Sequence, residues 1–276
     1  MSDRAWRIRT PSWSSRACTL QPRPAPLGER TEVGQAPGQV HRLTFGPGGA
    51  WAQLRAVPAA ELAVVPDEVD LGAAAAVPVA GVTALRALRR LGFLTGRRVL
   101  ITGASGGVGG YAVQLAASAG AHVIASVGSA ARGEGLAELG AAEVVVGLEG
   151  VEPGLHGVLD NVGGPQLAEA FGLLAEGGSV QSIGATSGEP TVFPPYSTVG
   201  QLRTLQAFTM GGRLSEDLTT LVGMLADGRL DPQIGWRGSW KDVAGAAEEL
   251  FARRIAGKAV LDVTLGDRSA RGGAST

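Results

Sequence analysis

The chain has very little cysteine: Cys18 is the single one among 276 residues. That excludes a disulfide within the chain and a zinc site built from its own cysteines. A reducing, cytoplasmic setting is the simplest expectation. The three histidines, His41, His122 and His156, are scattered and form no set at metal-ligand spacing. No long apolar run is present either. The longest, residues 73–85, is interrupted by Pro78 and is too short to cross a bilayer. The opening MSDRAWRIRT has no signal-type apolar core. No membrane association is therefore expected. A net charge of −1 provides no basic field, so nucleic acid is not an expected partner. Neither a G-x-S-x-G elbow, a glycine loop followed by Lys-Ser/Thr, nor an internal repeat occurs.

What the chain has instead is glycine, 43 residues of it, placed at the ends of apolar segments rather than in a period. With 45% hydrophobic and 18% charged residues, this composition describes a globular α/β chain with many tight turns. Residues 98–120, RVLITGASGGVGGYAVQLAASAG, organise the rest. Val99, Leu100 and Ile101 read as a strand buried on both faces. Gly103, Gly106, Gly107, Gly109 and Gly110 follow, and then a helical pattern carried by Val113, Leu115 and Ala116. Strand, glycine turn and helix together predict a diphosphate cradle, because backbone N–H groups without a Cβ in the way can approach the anion at a helix N-terminus; the other reading is an ordinary glycine-rich turn of an α/β protein. Against G-x-G-x-x-G, Ala104 fills the first glycine slot, with Gly106 and Gly109 in the others.

Periodicity predicts further strands over residues 62–66, 122–127, 141–146, 156–162, 179–185, 203–209 and 230–234. Helices are predicted over 70–76, with Asp70 as N-cap, and over 78–91, 133–139, 167–174, 214–226 and 240–254. Strand 122–127 ends in Ser126-Val127-Gly128-Ser129 with Arg132 just beyond and no acidic residue. An NAD site usually has a carboxylate there for the ribose 2′-hydroxyl. Its absence, with Ser126, Ser129 and Arg132 as donors, favours NADPH; the other reading leaves Arg132 as a solvated helix residue.

Several segments resemble the zinc-free, quinone-oxidoreductase-like branch of the medium-chain dehydrogenase/reductase family. They are ASGGVG at 104–109 with Gln114, GGAWAQL at 48–54, PVAGVTAL at 78–85, DNVGG at 160–164 and GKAVL at 257–261. The resemblance runs from residue 48 to residue 263. It implies an α/β fold: a Rossmann doubly wound parallel sheet over residues 81–229, plus a truncated β-rich GroES-like domain left at 43–80 and 230–265. Residues 1–42 read as a divergent, loop-like segment and 266–276 as a flexible tail.

The resemblance further implies NADPH-dependent reduction of a quinone or an α,β-unsaturated carbonyl by hydride transfer, without a metal. The alternative is an NADP(H)-binding protein with little turnover, its catalytic domain being incomplete; strands in residues 1–42 pairing with the 48–66 region would favour the enzyme. The cofactor residues it implies are Thr83, Gly103, Ala104, Ser105, Gly106, Gly107, Val108, Gly109, Asn161, Val162, Gly184, Phe208, Met210 and Lys258, beside Ser126, Ser129 and Arg132. Some of these have an equally ordinary reading. Thr83 either bonds near the nicotinamide or back to a carbonyl one turn earlier. Phe208 and Met210 either line the site or pack in the core. Lys258 faces either the phosphates or the solvent. Asp160 is expected to be structural, Tyr111 to pack, and Tyr196 to border the pocket. No catalytic residue is assigned. A homodimer joined along residues 203–209 is expected, since pairing protects an open strand edge.

Overall fold

The computed structural model describes residues 57–263 and the backbone of Gln39–Val40. In chain order, β1 (Gln39–Val40) pairs antiparallel with β2 (Ala63–Val64). Helices α1 (Leu71–Ala76) and α2 (Ala80–Arg90) follow. Then come β3 (Arg98–Thr102), α3 (Gly107–Ser118), β4 (His122–Val127), β5 (Glu143–Val146), β6 (Leu155–Asp160) and α4 (Gly164–Gly172). The remaining elements are β7 (Leu174–Ser182), β8 (Thr204–Ala207), α5 (Ser215–Ala226), β9 (Ile234–Ser239), α6 (Val243–Phe251) and β10 (Lys258–Asp262).

Six strands form one parallel sheet in the order β5-β4-β3-β6-β7-β8. The chain leaves the centre in one direction through β4 and β5, returns, and leaves in the other through β6, β7 and β8. The reversal between β3 and β6 is the switch point of a doubly wound sheet, and the carboxyl ends of both strands face the crevice it opens.

Strand β3 shows why the centre holds. Val99 and Ile101 pack with α2, α3 and α5 on one face, while Leu100 joins Ile124, Val158, Leu167 and Phe171 on the other. All three are fully buried, each side chain contributing about 1.5–3 kcal/mol of transfer free energy. Asp70 caps α1 as expected, its carboxylate accepting from the Ala73 N–H at 2.8 Å. Val65, Val69 and Ala74 pack on Val222 of α5 in a smaller cluster. Strands β9 and β10 form a separate parallel pair. Arg237 of β9 ties it together, bonding Asp262 of β10 and Asp70 at the start of α1.

The structure corrects several predicted boundaries. Residues 133–139 form no α-helix: a 3-10 turn, Ala130–Gly133, leads into turns through residue 140. Gly135 and Gly140 have positive φ, which breaks helical continuity. Residues 230–233 are not a strand. Pro232 lacks a ladder donor, the Asp231 N–H is taken by the Gln114 side chain, and Gln233 has φ +54°, so β9 begins at Ile234. Strand β7 starts five residues before the predicted 179 and stops at Ser182, where the Ile183 and Gly184 N–H groups both turn to the Asp160 carbonyl. Helix α4 starts at Gly164 with proline in its first turn and yields Leu174 to β7. The predicted 240–254 helix divides into a 3-10 turn, Trp240–Asp242, and α6, which ends before Arg253 at φ +59°. Of residues 1–42, only β1 is described, and it pairs with the predicted 62–66 strand. The 48–54 motif and the tail at 266–276 lie outside the described residues.

Candidate functional site

The glycine turn stands at the carboxyl end of β3, beside the switch point. Gly103 has φ +61°, a conformation for which glycine is suited. The Gly106 N–H closes the turn on the Gly103 carbonyl at 2.9 Å, and the Ala104 N–H ties it to Ser126 O of β4 at 3.0 Å. Gly109 is fixed by space. A Cβ there would sit 2.6 Å from the Cα and the carbonyl oxygen of Ala104. The N-cap, Gly106, places no side chain over the first turn of α3, so that turn presents backbone N–H groups directly. Ser105 and Val108 are half-buried on this turn.

Three strand ends are bonded together next to it. Thr102 Oγ1 donates to Asp160 Oδ1 at 2.7 Å and accepts from the Asn161 N–H at 3.0 Å. Asn161 Nδ2 donates to Thr102 O at 2.9 Å. Asp160 also accepts the Gly163 N–H at 2.9 Å and the more distant Val162 N–H. Burial pushes the Asp160 carboxyl above its ordinary range, against the opposing effect of these hydrogen bonds. A Cβ at Gly184 would stand 2.6 Å from Asn161 O, so the chain leaving β7 can approach the chain leaving β6 this closely only through glycine. Gly103, Asn161, Val162 and Gly184 thus meet across the crevice, and Asp160 serves the architecture.

On the β4 side, Ser126 is fully buried and its hydroxyl is committed. It donates to Gly147 O at 2.7 Å and accepts from Gln166 Nε2 at 2.8 Å. Ser129 is exposed, and Arg132 is half-buried with Nη2 donating to Arg253 O at 2.6 Å. On the opposite side, Thr83 is buried in α2. Phe208 and Met210 are half-buried against the core on the α2 face, and the Arg90 guanidinium lies 4.7 Å from the Phe208 ring centroid.

Lys258, the first residue of β10, reaches back to the glycine turn. Its ammonium donates to Gly107 O and lies 4.5 Å from the centroid of the Tyr111 ring. Burial pushes its pKa down to about 8. Tyr111 is buried, its hydroxyl 3.4 Å from Pro232 O, and burial pushes its own pKa up. Gln114 completes this face. Its amide donates to Asp231 O at 3.0 Å and to Gly110 O at 3.0 Å, while its oxygen accepts the Asp231 N–H at 2.7 Å. Tyr196 is 85% exposed on a turn. His122 pairs with Glu143, and His156 bonds Leu91 O at 2.8 Å, both in structural roles. An open depression of about 490 Å³ lined by Arg97, Arg98, His156 and Glu176 lies at the amino ends of the strands, away from the turn. Among the described residues, no three His, Cys, Asp or Glu side chains group as metal ligands, and no helix is long and apolar enough to cross a membrane.

Three residues of weight escaped the sequence reading. Asp217 is buried on α5 and pairs with Arg86 and Arg89 of α2. Nothing in the local pattern marks a pair 131 positions apart.

Residues 107–227 match the family model described as zinc-binding dehydrogenase. The acrylyl-CoA reductase AcuI of Ruegeria pomeroyi is 30% identical over 234 residues, which cover 78% of this chain and 70% of that protein. The chain belongs to the quinone-oxidoreductase-like branch of the medium-chain dehydrogenase/reductase family. Solved structures of the family agree. The quinone oxidoreductase of Coxiella burnetii superposes with a TM-score of 0.65 at 26% identity, covering 74% of this chain and 64% of that one. For YhdH of E. coli K-12, solved with bound NADPH, the TM-score is 0.61 at 25% identity, covering 74% and 67%. The chain spans only 49% and 64% of the length of two curated relatives, from Bacillus subtilis and Neurospora crassa. As a member of that family it has the doubly wound sheet that the motifs imply, with the glycine turn at its switch point.

Proposed function

We propose that this chain binds NADPH along the carboxyl ends of β3, β4, β6 and β7 and serves the reduction of a quinone or an α,β-unsaturated carbonyl. The observation that carries the reading is the Gly109 contact: the loop packs so closely on Ala104 that only a bare backbone fits, at a helix N-terminus beside the switch point. Nicotinamide dinucleotide suits the residues present. Gly106, Gly107 and Gly109 leave the helix start uncovered for the diphosphate, with Ala104, Ser105 and Val108 shaping the turn and Lys258 adding a cation behind it. Ser129 and Arg132 take the 2′-phosphate at the end of β4, where no carboxylate repels it. Ser126 supports this corner from inside. Asn161, Val162 and Gly184 line the middle of the crevice, and Thr83, Phe208 and Met210 the nicotinamide end.

The bound cofactor supplies the hydride, and an acceptor already made electrophilic by its carbonyls needs position more than a protein nucleophile. The reduction needs no metal in this reading. The named relatives support it: one is an acrylyl-CoA reductase and one structural relative holds NADPH. A cytoplasmic homodimer completes the proposal. β8 is exposed along its whole length, with Leu205 at 42%, and pairing two such edges would satisfy both.

The test is titration of the purified chain with NADPH and NADH, followed by oxidation of each with a panel of small quinones and enones. NADPH binding with turnover is the expected result. Tight binding without oxidation would favour a nucleotide-binding protein, and no binding of either nucleotide would refute both readings.

A further inference from the structure

Segment 208–213 follows β8 at the same end of the sheet as the glycine turn. In a sheet of this order the two halves of a dinucleotide lie over the two halves of the sheet. Arg132 and Ser129 stand on the β4 side, so the segment after β8 borders the nicotinamide half. Its shape is not set by a ladder. Phe208 N–H bonds Ser182 O, but from there Gly211 and Arg213 both adopt positive φ, which for arginine is a strained conformation.

Arg86 gathers three of the segment's carbonyls, and the Glu61 carboxylate accepts the Arg213 N–H at 3.1 Å and the Leu214 N–H at 3.4 Å. Arg86 Nη1 donates to Met210 O at 2.5 Å and to Gly212 O at 3.0 Å, and Nη2 donates to Arg213 O at 3.0 Å. Its Nε donates to Asp217 Oδ2 at 2.5 Å. The other Asp217 oxygen takes Arg89, so this buried carboxylate is held between two guanidiniums and aims Arg86 at the segment. Arg90 supports the same stretch, with weak bonds to Ala207 O and Thr209 O and its guanidinium over Phe208. Thr83, Arg86 and Arg90 lie at i, i+3 and i+7, on one face of α2.

We propose that Arg86, aimed by Asp217, is a positioning residue that sets the nicotinamide-end wall of the site. It acts through the Met210–Arg213 carbonyls and touches neither cofactor nor substrate. The planar fork is essential: three carbonyls and one carboxylate lie in directions that an ammonium cannot serve together. The inference rests on the dinucleotide reading above and refines it.

Arg86→Lys keeps a cation opposite Asp217 and gives up the fork; Asp217→Asn keeps the fork and removes the charge that aims it. Each variant is titrated with NADPH and with adenosine 2′,5′-bisphosphate, which has the adenine half alone, and its amide hydrogen exchange is followed without ligand. We expect NADPH affinity to fall about tenfold in Arg86→Lys while bisphosphate affinity stays within twofold. Exchange should accelerate in 208–213 and not in the glycine turn. NADPH affinity unchanged, or both ligands weakened equally with general acceleration of exchange, overturns the proposal: the pair then holds only the fold. If the unaltered protein binds the bisphosphate but no nicotinamide dinucleotide, or neither, the parent reading itself falls, a result set apart by the wild-type titration.

Discussion

Nucleotide binding at the glycine turn should draw a proton onto Lys258. In the free protein, burial lowers this ammonium from its ordinary 10.5 to about 8. A diphosphate at the start of α3 supplies negative charge and returns the pKa toward its ordinary value. At pH 8 the free side chain is about half protonated and the bound one nearly fully so, giving an uptake of about half a proton per nucleotide. At pH 6.5 the side chain is charged in both states and uptake is close to zero. Tyr111, the ring under the ammonium, is pushed up by burial and stays protonated throughout. The assay is calorimetric titration with NADPH at pH 8 in buffers of different ionisation enthalpy; the slope of observed heat against that enthalpy counts the protons. Zero slope at pH 8, or the same slope in Lys258→Met, would refute the reasoning. The same shift fixes a stability trend. Between pH 8 and 10.5 the unfolded chain holds this proton and the folded chain does not, so stability rises with pH across that window. The ceiling is about 3 kcal/mol, lowered by partial solvent contact. Denaturant melts of the nucleotide-free protein should show that rise, and Lys258→Met should lack it.

Gly109→Ala puts a methyl group against the Ala104 backbone, which cannot swing aside; the expected loss is about 1–3 kcal/mol of stability in urea melts together with nucleotide binding. Arg132→Ala should weaken NADPH about tenfold or more, the worth of one charged hydrogen-bond set, and leave NADH within twofold in fluorescence titrations. Ser126→Ala should leave that preference intact and lower stability by about 1–3 kcal/mol, because Gly147 O and Gln166 lose a buried partner. Leu205→Lys on the β8 edge should halve the mass seen by analytical ultracentrifugation if two chains join there; a mass unaltered from that of the unmodified protein speaks against this edge.

The sheet was readable because its strands are buried on both faces, which writes them as short apolar runs such as Val99–Ile101 and residues 122–127. The glycine turn was readable because close approach demands glycine, and Gly109 shows that demand in space. Local rules failed where distant partners decide. The residues 230–233 stretch looks extended, yet Gln114, 117 positions away, takes its backbone groups. Residues 133–139 show helical apolar spacing, but Gly135 and Gly140 turn the backbone out of it. Ser126 reads as a free hydroxyl at a strand end, and the fold closes it between Gly147 and Gln166. Arg86 and Asp217 carry no local signal, since each looks like a solvated helix residue until α2 and α5 meet.

The two-pronged grip of Gln114 on Asp231 has a mechanical consequence. It bolts α3 to the returning chain just before β9, and the Asp231 carboxylate then holds the Gln233 N–H at 2.8 Å. Any swing of the β9–β10 ribbon must therefore pivot beyond the bolt, near Gln233 with its left-handed backbone. Lys258 N–H bonds the Gln233 carbonyl at 2.7 Å while its ammonium donates to Gly107 O, so the start of β10 is tied both to that pivot and to α3.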